Sequence, residues 1–258
     1  MTFEDAKQRF SNRAEDYARY RPGYPREVLR LLSTWCHLLP HHVIADVGSG
    51  TGLLSQVFLE NGNRVFGVEP NAEMRAAGEE YLKRYPQFTS VQGSAEATTL
   101  PDDSVDFVAA AQAFHWFEME PTRQEFRRIL KPGGRVIIVW NERLLKDTPF
   151  LREYEALLRK FATDYARVYE SYPRNEDMLR FFSKNEFTSH ALTNYQEFDF
   201  PGLSGRLRSS SYAPTPADRQ FEPMMKELKQ IFDAHQVHGR VRMEYRTRVY
   251  TGKLEALE

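Results

Sequence analysis

Val43-Ile44-Ala45-Asp46-Val47-Gly48-Ser49-Gly50-Thr51-Gly52, then a helix-length segment, then Arg64-Val65-Phe66-Gly67-Val68-Glu69 is the stretch that decides the fold. A short apolar run, a glycine turn, a helix and a second apolar run ending in an acid make one β-α-β unit. Gly48 and Gly50 let the backbone turn sharply and let a ligand approach where a Cβ would collide. Gly52 opens the helix beneath them and permits its close contact with the strand.

The spacing separates two cofactors. In the dinucleotide fingerprint G-x-G-x-x-G, a pyrophosphate sits on the helix N-terminus. Here the order is Asp46-x-Gly48-x-Gly50-x-Gly52, with an acid two residues before the first glycine. That acid repels a pyrophosphate and suits a ligand carrying positive charge. S-adenosyl-L-methionine (SAM) is such a ligand, with a sulfonium, an ammonium and a carboxylate but no phosphate. Glu69 closes the second strand, where a carboxylate can accept from both ribose hydroxyls. Two other readings stay open at this point: a glycine turn that holds no nucleotide, and a nicotinamide-dependent oxidoreductase. Asp46 and the displaced third glycine speak against the second.

Further along, more segments carry a resemblance. Asp46 to Gly52, Glu69, Gly93-Ser94-Ala95-Glu96 and Leu130-Lys131-Pro132-Gly133-Gly134 are similar to successive motifs of the class I SAM-dependent methyltransferases, over residues 40–142. Arg21-Pro22-Gly23-Tyr24-Pro25 and Gln112-Ala113-Phe114-His115-Trp116-Phe117 resemble the trans-aconitate-methyltransferase-like small-molecule group. The resemblance implies an α/β fold: a Rossmann-like class I methyltransferase sheet, mostly parallel with an antiparallel C-terminal strand, under a helical lid or cap. It divides the chain into an N-terminal helical arm (1–40), a SAM-binding core (41–141), and a helical insert with C-terminal strands completing the same sheet (142–258).

The cofactor-binding residues it implies are Asp46, Gly48, Ser49, Gly50, Glu69, Pro70, Met74, Ser94, Ala95 and Gln112, with Tyr20 and Arg21 reaching in from the arm. Arg21 suits the SAM carboxylate, a charge-assisted contact. The family more often has Asp where Ser94 stands; a serine hydroxyl still accepts from an adenine amino group, but it is neutral and shorter. The Ala95 N–H suits adenine N1. Glu96 is expected to be exposed.

Composition narrows the class. With 258 residues, 41% hydrophobic and 28% charged, the chain has the make-up of a globular protein built on one α/β core. A formal net charge of −1 argues against a dedicated nucleic-acid binder, whose affinity comes from Lys and Arg. A single cysteine, Cys36, excludes an internal disulfide and a cysteine-based metal site. No apolar run approaches a membrane span and Met1 to Asp5 is polar, so a cytoplasmic protein with no membrane or nucleic-acid partner is expected.

The remaining elements follow from periodicity. Phe3, Phe10 and Tyr17 make an amphipathic arm stopped by Arg21 to Pro25. A helix over Glu27 to Leu39 places Val28, Leu31, Leu32, Trp35 and Leu39 on one face. Asn71 caps the helix after the second strand. Phe88 to Gln92 and Val105 to Ala111 are strands, the latter buried on both faces. Pro121 to Leu130 is a helix that breaks at Pro132-Gly133-Gly134 before a strand from Arg135 to Trp140. Asp147-Thr148-Pro149 starts a helix through Phe161, and Tyr165, Tyr169 and Tyr172 cluster beyond it. Glu176 to Ser183 reads as helix, Ser189 to Phe200 as strand, and Pro201 to Pro216 as a mobile linker or substrate-closing loop. Phe221 to His235 is a helix, and Val241 to Val249 alternates as a strand with arginines on its wet face.

For chemistry, the segment after Ala111 overlooks the methyl group in the implied fold. His115 is the candidate catalytic residue: it can take a proton from a nucleophile, steer a carboxylate, or simply pack. Trp116 and Phe117 are candidate substrate residues or plain core, and Tyr212 in the Ser-rich stretch is a third. The expected reaction moves a methyl group from SAM to a small-molecule acceptor, a carboxylate among the options, by direct in-line displacement, leaving S-adenosyl-L-homocysteine. A SAM-binding module without transferase activity is the alternative.

Overall fold

The computed structural model describes residues 19–163, 165, 175–182 and 187–254. Phe3, Phe10 and Tyr17 of the expected arm, and Tyr169 and Tyr172, lie outside them. The helices are α1 (Glu27–Cys36), α2 (Leu53–Glu60), α3 (Ala72–Leu82), α4 (Met119–Ile129), α5 (Pro149–Phe161), α6 (Asn175–Phe182), α7 (Phe200–Arg208) and α8 (Phe221–His235). The strands are β1 (Val43–Val47), β2 (Arg64–Val68), β3 (Phe88–Val91), β4 (Val105–Ala111), β5 (Leu130–Arg143), β6 (Phe187–Phe198) and β7 (Val241–Gly252).

These strands form one sheet in the order β3-β2-β1-β4-β5-β7-β6. β1 to β5 pair in parallel, and β7 runs antiparallel to both β5 and β6. The chain builds outward from β1 to β3, then returns to the other side of β1 with β4. That reversal leaves a crevice at the carboxyl ends of β1 and β4, the usual ligand position in an open α/β sheet.

Burial explains the layering. Ile44, Ala45 and Val47 of β1 and Val105, Val108, Ala109 and Ala110 of β4 are fully enclosed, because helices cover both faces. One face packs Val28, Leu32, Leu54, Phe58 and Leu82 against Ile44, Ile137 and Val249. The other packs Phe126, Ile129, Phe181 and Phe182 against Val108, Val136 and Tyr250. A third apolar cluster caps the carboxyl end of the antiparallel half, joining α5, α7 and α8 through Leu151, Tyr154, Leu158, Leu203, Leu228, Met243 and Tyr245.

Four readings change. α1 stops at Cys36, with His37 in a left-handed conformation, so its buried stripe is Val28, Leu31, Leu32 and Cys36. Trp35 and Leu39 fall off that stripe and are exposed. Strand pairing of β5 begins at Leu130, opposite Val105, and resumes with Arg135 opposite Phe107; Lys131 to Gly134 bulge between, through a positive φ at Gly133. β6 spans Phe187–Phe198 rather than running to Phe200.

The fourth change is the largest. Residues 201–208, expected as linker or substrate-closing loop, join Phe200 in α7, with Leu203 and Leu207 completely buried. Asp199 accepts from the Gly202 N–H at 2.8 Å and Pro201 sits in the first turn, a capped start that outweighs the two glycines.

Candidate functional site

Asp46 is the penultimate residue of β1 and is 1% exposed. Its Oδ2 accepts from Ser55 Oγ at 2.6 Å, in the first turn of α2, while Oδ1 accepts from no described residue. Burial pushes the carboxyl pKa up to about 7; the Ser55 hydrogen bonds oppose this and the nearby Glu69 adds to it. An acceptor oxygen enclosed without a donor calls for a ligand that brings one.

Glu69 follows β2. Its Oε2 accepts from the Gly50 N–H and its Oε1 from the Asn71 N–H, both at 2.9 Å. Burial raises its pKa against those two hydrogen bonds. The carboxylate thus pins the glycine loop and keeps one lone pair on each oxygen for a further donor. Pro70 is half-buried beside it. Asn71 caps α3 as expected, accepting from the Met74 N–H at 2.9 Å. Met74 is buried, and its methyl lies 3.3 Å from where a Cβ on Gly50 would stand. Asp46, Gly48, Ser49, Gly50, Glu69 and Met74 are therefore one continuous patch at the tips of β1 and β2.

The turn after β4 closes over this patch. A Cβ on Gly48, whose φ is +68°, would stand 2.6 Å from Ala113 Cβ and 3.4 Å from the Phe117 ring. Gln112 also has positive φ (56°), and its side chain donates to the Asn141 carbonyl at 3.0 Å, tying the ends of β4 and β5. Phe117 packs on Phe114 and Phe126. His115 stacks near Trp116 at 4.5 Å and Trp140 at 5.1 Å between ring centres. Burial alone drives its pKa down to about 3, so the imidazole is neutral at physiological pH and a weak proton acceptor.

Ser94 and Ala97 exchange backbone hydrogen bonds in a tight turn beyond β3, with Ala95 buried inside it. Glu96 is half-buried rather than exposed: its carboxylate accepts from the Glu118 N–H at 3.0 Å, anchoring the start of α4.

Tyr20 and Arg21 sit farther out. The Tyr20 ring lies against Gly205 in α7, and Arg21 Nη2 donates to the Ser209 carbonyl at 3.0 Å. Asn141 and Asn194 side chains hold the Gly23 carbonyl at 3.2 and 2.9 Å. This delivers Tyr24, which residue-by-residue reading missed, to the glycine loop. A small cavity of about 30 Å³ is lined there by Tyr24, Asp46, Gly48, Ser49, Gly50, Thr51, Leu53, Leu54 and Ala111. The signal for Tyr24 was its setting between Gly23 and Pro25, which fixes the backbone around it. Tyr212 is buried in the cap, 5.0 Å from Tyr165 between ring centres, apart from the glycine loop.

Among the described residues, no group of three or more His, Cys, Asp or Glu is placed to hold a metal ion, and no helix is long and apolar enough to cross a membrane.

Residues 45–138 match the family model described as a methyltransferase domain. The chain is 27% identical over 224 residues, 86% of each sequence, to an uncharacterized methyltransferase of Schizosaccharomyces pombe. It is 37% identical to an uncharacterized methyltransferase of Mycobacterium tuberculosis over 143 residues, 54% of each. In structure it is similar to a candidate type II methyltransferase from Anaeromyxobacter dehalogenans, with TM-score 0.68 and 23% identity over 91% of this chain and 98% of that one. It is also similar to a SAM-dependent methyltransferase from Geobacter sulfurreducens solved with S-adenosyl-L-homocysteine, with TM-score 0.52 and 16% identity over 95% and 98%. The fold is the Rossmann-like methyltransferase fold.

Proposed function

We propose, from the premise of a methyltransferase domain over residues 45–138 on a class I fold, that this chain transfers a methyl group from SAM to a small-molecule acceptor. The observation that carries the reading is Asp46 Oδ1, an acceptor oxygen buried under a glycine loop with no donor among the described residues. The positive end of SAM supplies that donor. Glu69, at the tip of the next strand, faces the ribose, and Met74 with Ala95 lies where the adenine extends. Tyr24 and Phe117 flank the loop and exclude water from it. Residues 41–141 hold the donor, while 142–258 shape the acceptor side.

Bound SAM brings a methyl group already activated on a sulfonium, so the chain contributes mainly alignment, which can supply about 7–11 kcal/mol. His115, neutral and a weak base, positions an acceptor by hydrogen bonding rather than deprotonating it. That favours a nucleophile already ionised at neutral pH, and a carboxylate is the simplest. An alcohol or amine would need a base stronger than His115.

Calorimetric titration with SAM and with S-adenosyl-L-homocysteine tests the donor site; absence of binding by both rejects the reading. Turnover of radiolabelled SAM across acids, phenols and amines tests the transfer. Donor binding with no turnover across the panel turns the assignment to a SAM-binding module without transferase activity.

A further inference from the structure

Asn141, near the end of β5, is 6% exposed and has both polar atoms of its side chain engaged. Its Oδ1 accepts from Thr247 Oγ1 of β7 at 2.6 Å and from Asn194 Nδ2 of β6 at 3.2 Å. Its Nδ2 donates to the Pro22 and Gly23 carbonyls at 3.3 and 3.2 Å. Carbonyls cannot donate, so the amide has to face this way round. Asn194 Nδ2 adds a second bond to the Gly23 carbonyl, at 2.9 Å. Residues 22–25 belong to no helix or strand, so the Pro22 and Gly23 carbonyls depend on these side chains for partners.

The main chain of Asn141 ties a further segment. Gln112 Nε2 donates to the Asn141 carbonyl at 3.0 Å, and the Gln112 N–H donates to the Val139 carbonyl at 3.1 Å. Gln112 stands at φ 56°, a strained conformation for a residue with a side chain, which persists only where its surroundings hold it.

The two segments that meet at Asn141 are two walls of the donor site. Gly23 precedes Tyr24, which lines the cavity beside Asp46 and Gly48. Gln112 opens the turn that brings Ala113 and the Phe117 ring against Gly48. One buried amide therefore sets the position of both.

We propose that Asn141 is a positioning residue that keeps both walls closed on the bound donor, and that breaking its clasp on Gly23 sets the rate at which S-adenosyl-L-homocysteine leaves. The inference rests on the donor-site reading above. Opening the clasp exchanges three N–H to carbonyl bonds for bonds to water and moves no proton. Asn141, Asn194, Thr247 and Gln112 carry no charge, so the closed state does not depend on their titration. Such an opening suits a step repeated in every catalytic cycle.

The test follows release of tritiated S-adenosyl-L-homocysteine chased by the unlabelled compound. Asn141→Asp keeps the side-chain volume but removes the Nδ2 donor and sets a carboxylate against two carbonyls. The Gln112 bond, made to the main chain, survives. At pH 8 release should quicken about tenfold, with the association rate within about twofold of wild type. A carboxyl enclosed against carbonyl oxygens takes up a proton readily, and its O–H then donates to them. The excess over wild type, compared at the same pH, should therefore shrink between pH 8 and 5.5, a rescue that a merely loosened fold would not show. Asn194→Ala, at a half-buried position, removes one bond of the clasp and should quicken release about threefold. Gln112→Met, which loses the other tie, should quicken it without the pH rescue. Wild-type release from a cooperatively melting Asn141→Asp, or an excess that is the same at both pH values, would overturn the proposal. Where Asn141→Asp does not fold, wild-type release from both Asn194→Ala and Gln112→Met overturns it. Failure of the wild type to bind S-adenosyl-L-homocysteine would strike the donor-site reading instead.

Discussion

Asp46 is the residue on which ligand binding and proton binding compete. Its pKa near 7 comes from burial, and the carboxylate form is the one that receives a cation. SAM affinity should therefore fall about tenfold per pH unit below 7 and level off above it. Calorimetry between pH 5.5 and 8.5 checks this, with Asp46→Asn expected to bind more weakly and with a flat profile; a flat wild-type profile refutes it. The sign for stability is opposite. A carboxyl with a folded pKa raised above its ordinary 3.8 stabilises the unliganded chain below pH 4 and loses that contribution as pH rises through about 7. Melting temperatures of the ligand-free protein should decline across that window more in wild type than in Asp46→Asn. Gly48→Ala should cost about 2–3 kcal/mol in urea unfolding and weaken SAM binding, because its Cβ would overlap Ala113 at a left-handed φ. These residues were legible because the loop is local: acid, glycines and strand-ending acid are read off one short segment. Tyr24 was not, because the bonds that place its segment come from far along the chain, from Asn141 and Asn194 to the Gly23 carbonyl.

At the level of the element, the strands of the first half were legible almost to the residue. β1 and β4 keep their expected bounds, since continuous apolar runs between turn signals leave little choice. α7 was not legible, because the Gly, Ser and Pro residues over 201–216 carry loop propensity that tertiary burial of Leu203 and Leu207 overrides. Asp199 followed by proline in the first turn is a start signal, and Leu203 with Leu207 is a four-residue apolar stripe. Asp199→Ala should destabilise the protein by about 1 kcal/mol in urea unfolding, the usual cost of losing a cap. Thr148→Ala, at the cap of α5 where Thr148 Oγ1 accepts from the Leu151 N–H, should cost a similar amount. A change within 0.2 kcal/mol at Asp199 would mean that α7 is held by Leu203 and Leu207 alone.

Across the whole molecule, the sheet is assembled out of chain order. Among the described residues β6 has one neighbour, β7, and residues 199–240 separate the two in sequence. β7 in turn lies between β5 and β6, so its removal detaches an edge strand and opens the floor of the cap at Met243 and Tyr245. A chain truncated after Gly239 should lose cooperative thermal unfolding by circular dichroism while the parallel strands keep part of their signal. During synthesis, β6 emerges from the ribosome with twelve residues of backbone N–H and C=O groups and no mate to receive them. Until β7 is translated, that segment is exposed to other nascent chains or to chaperones. Slowing translation between the codons for β6 and β7 should therefore lower the yield of native protein more than the same delay placed between β1 and β2.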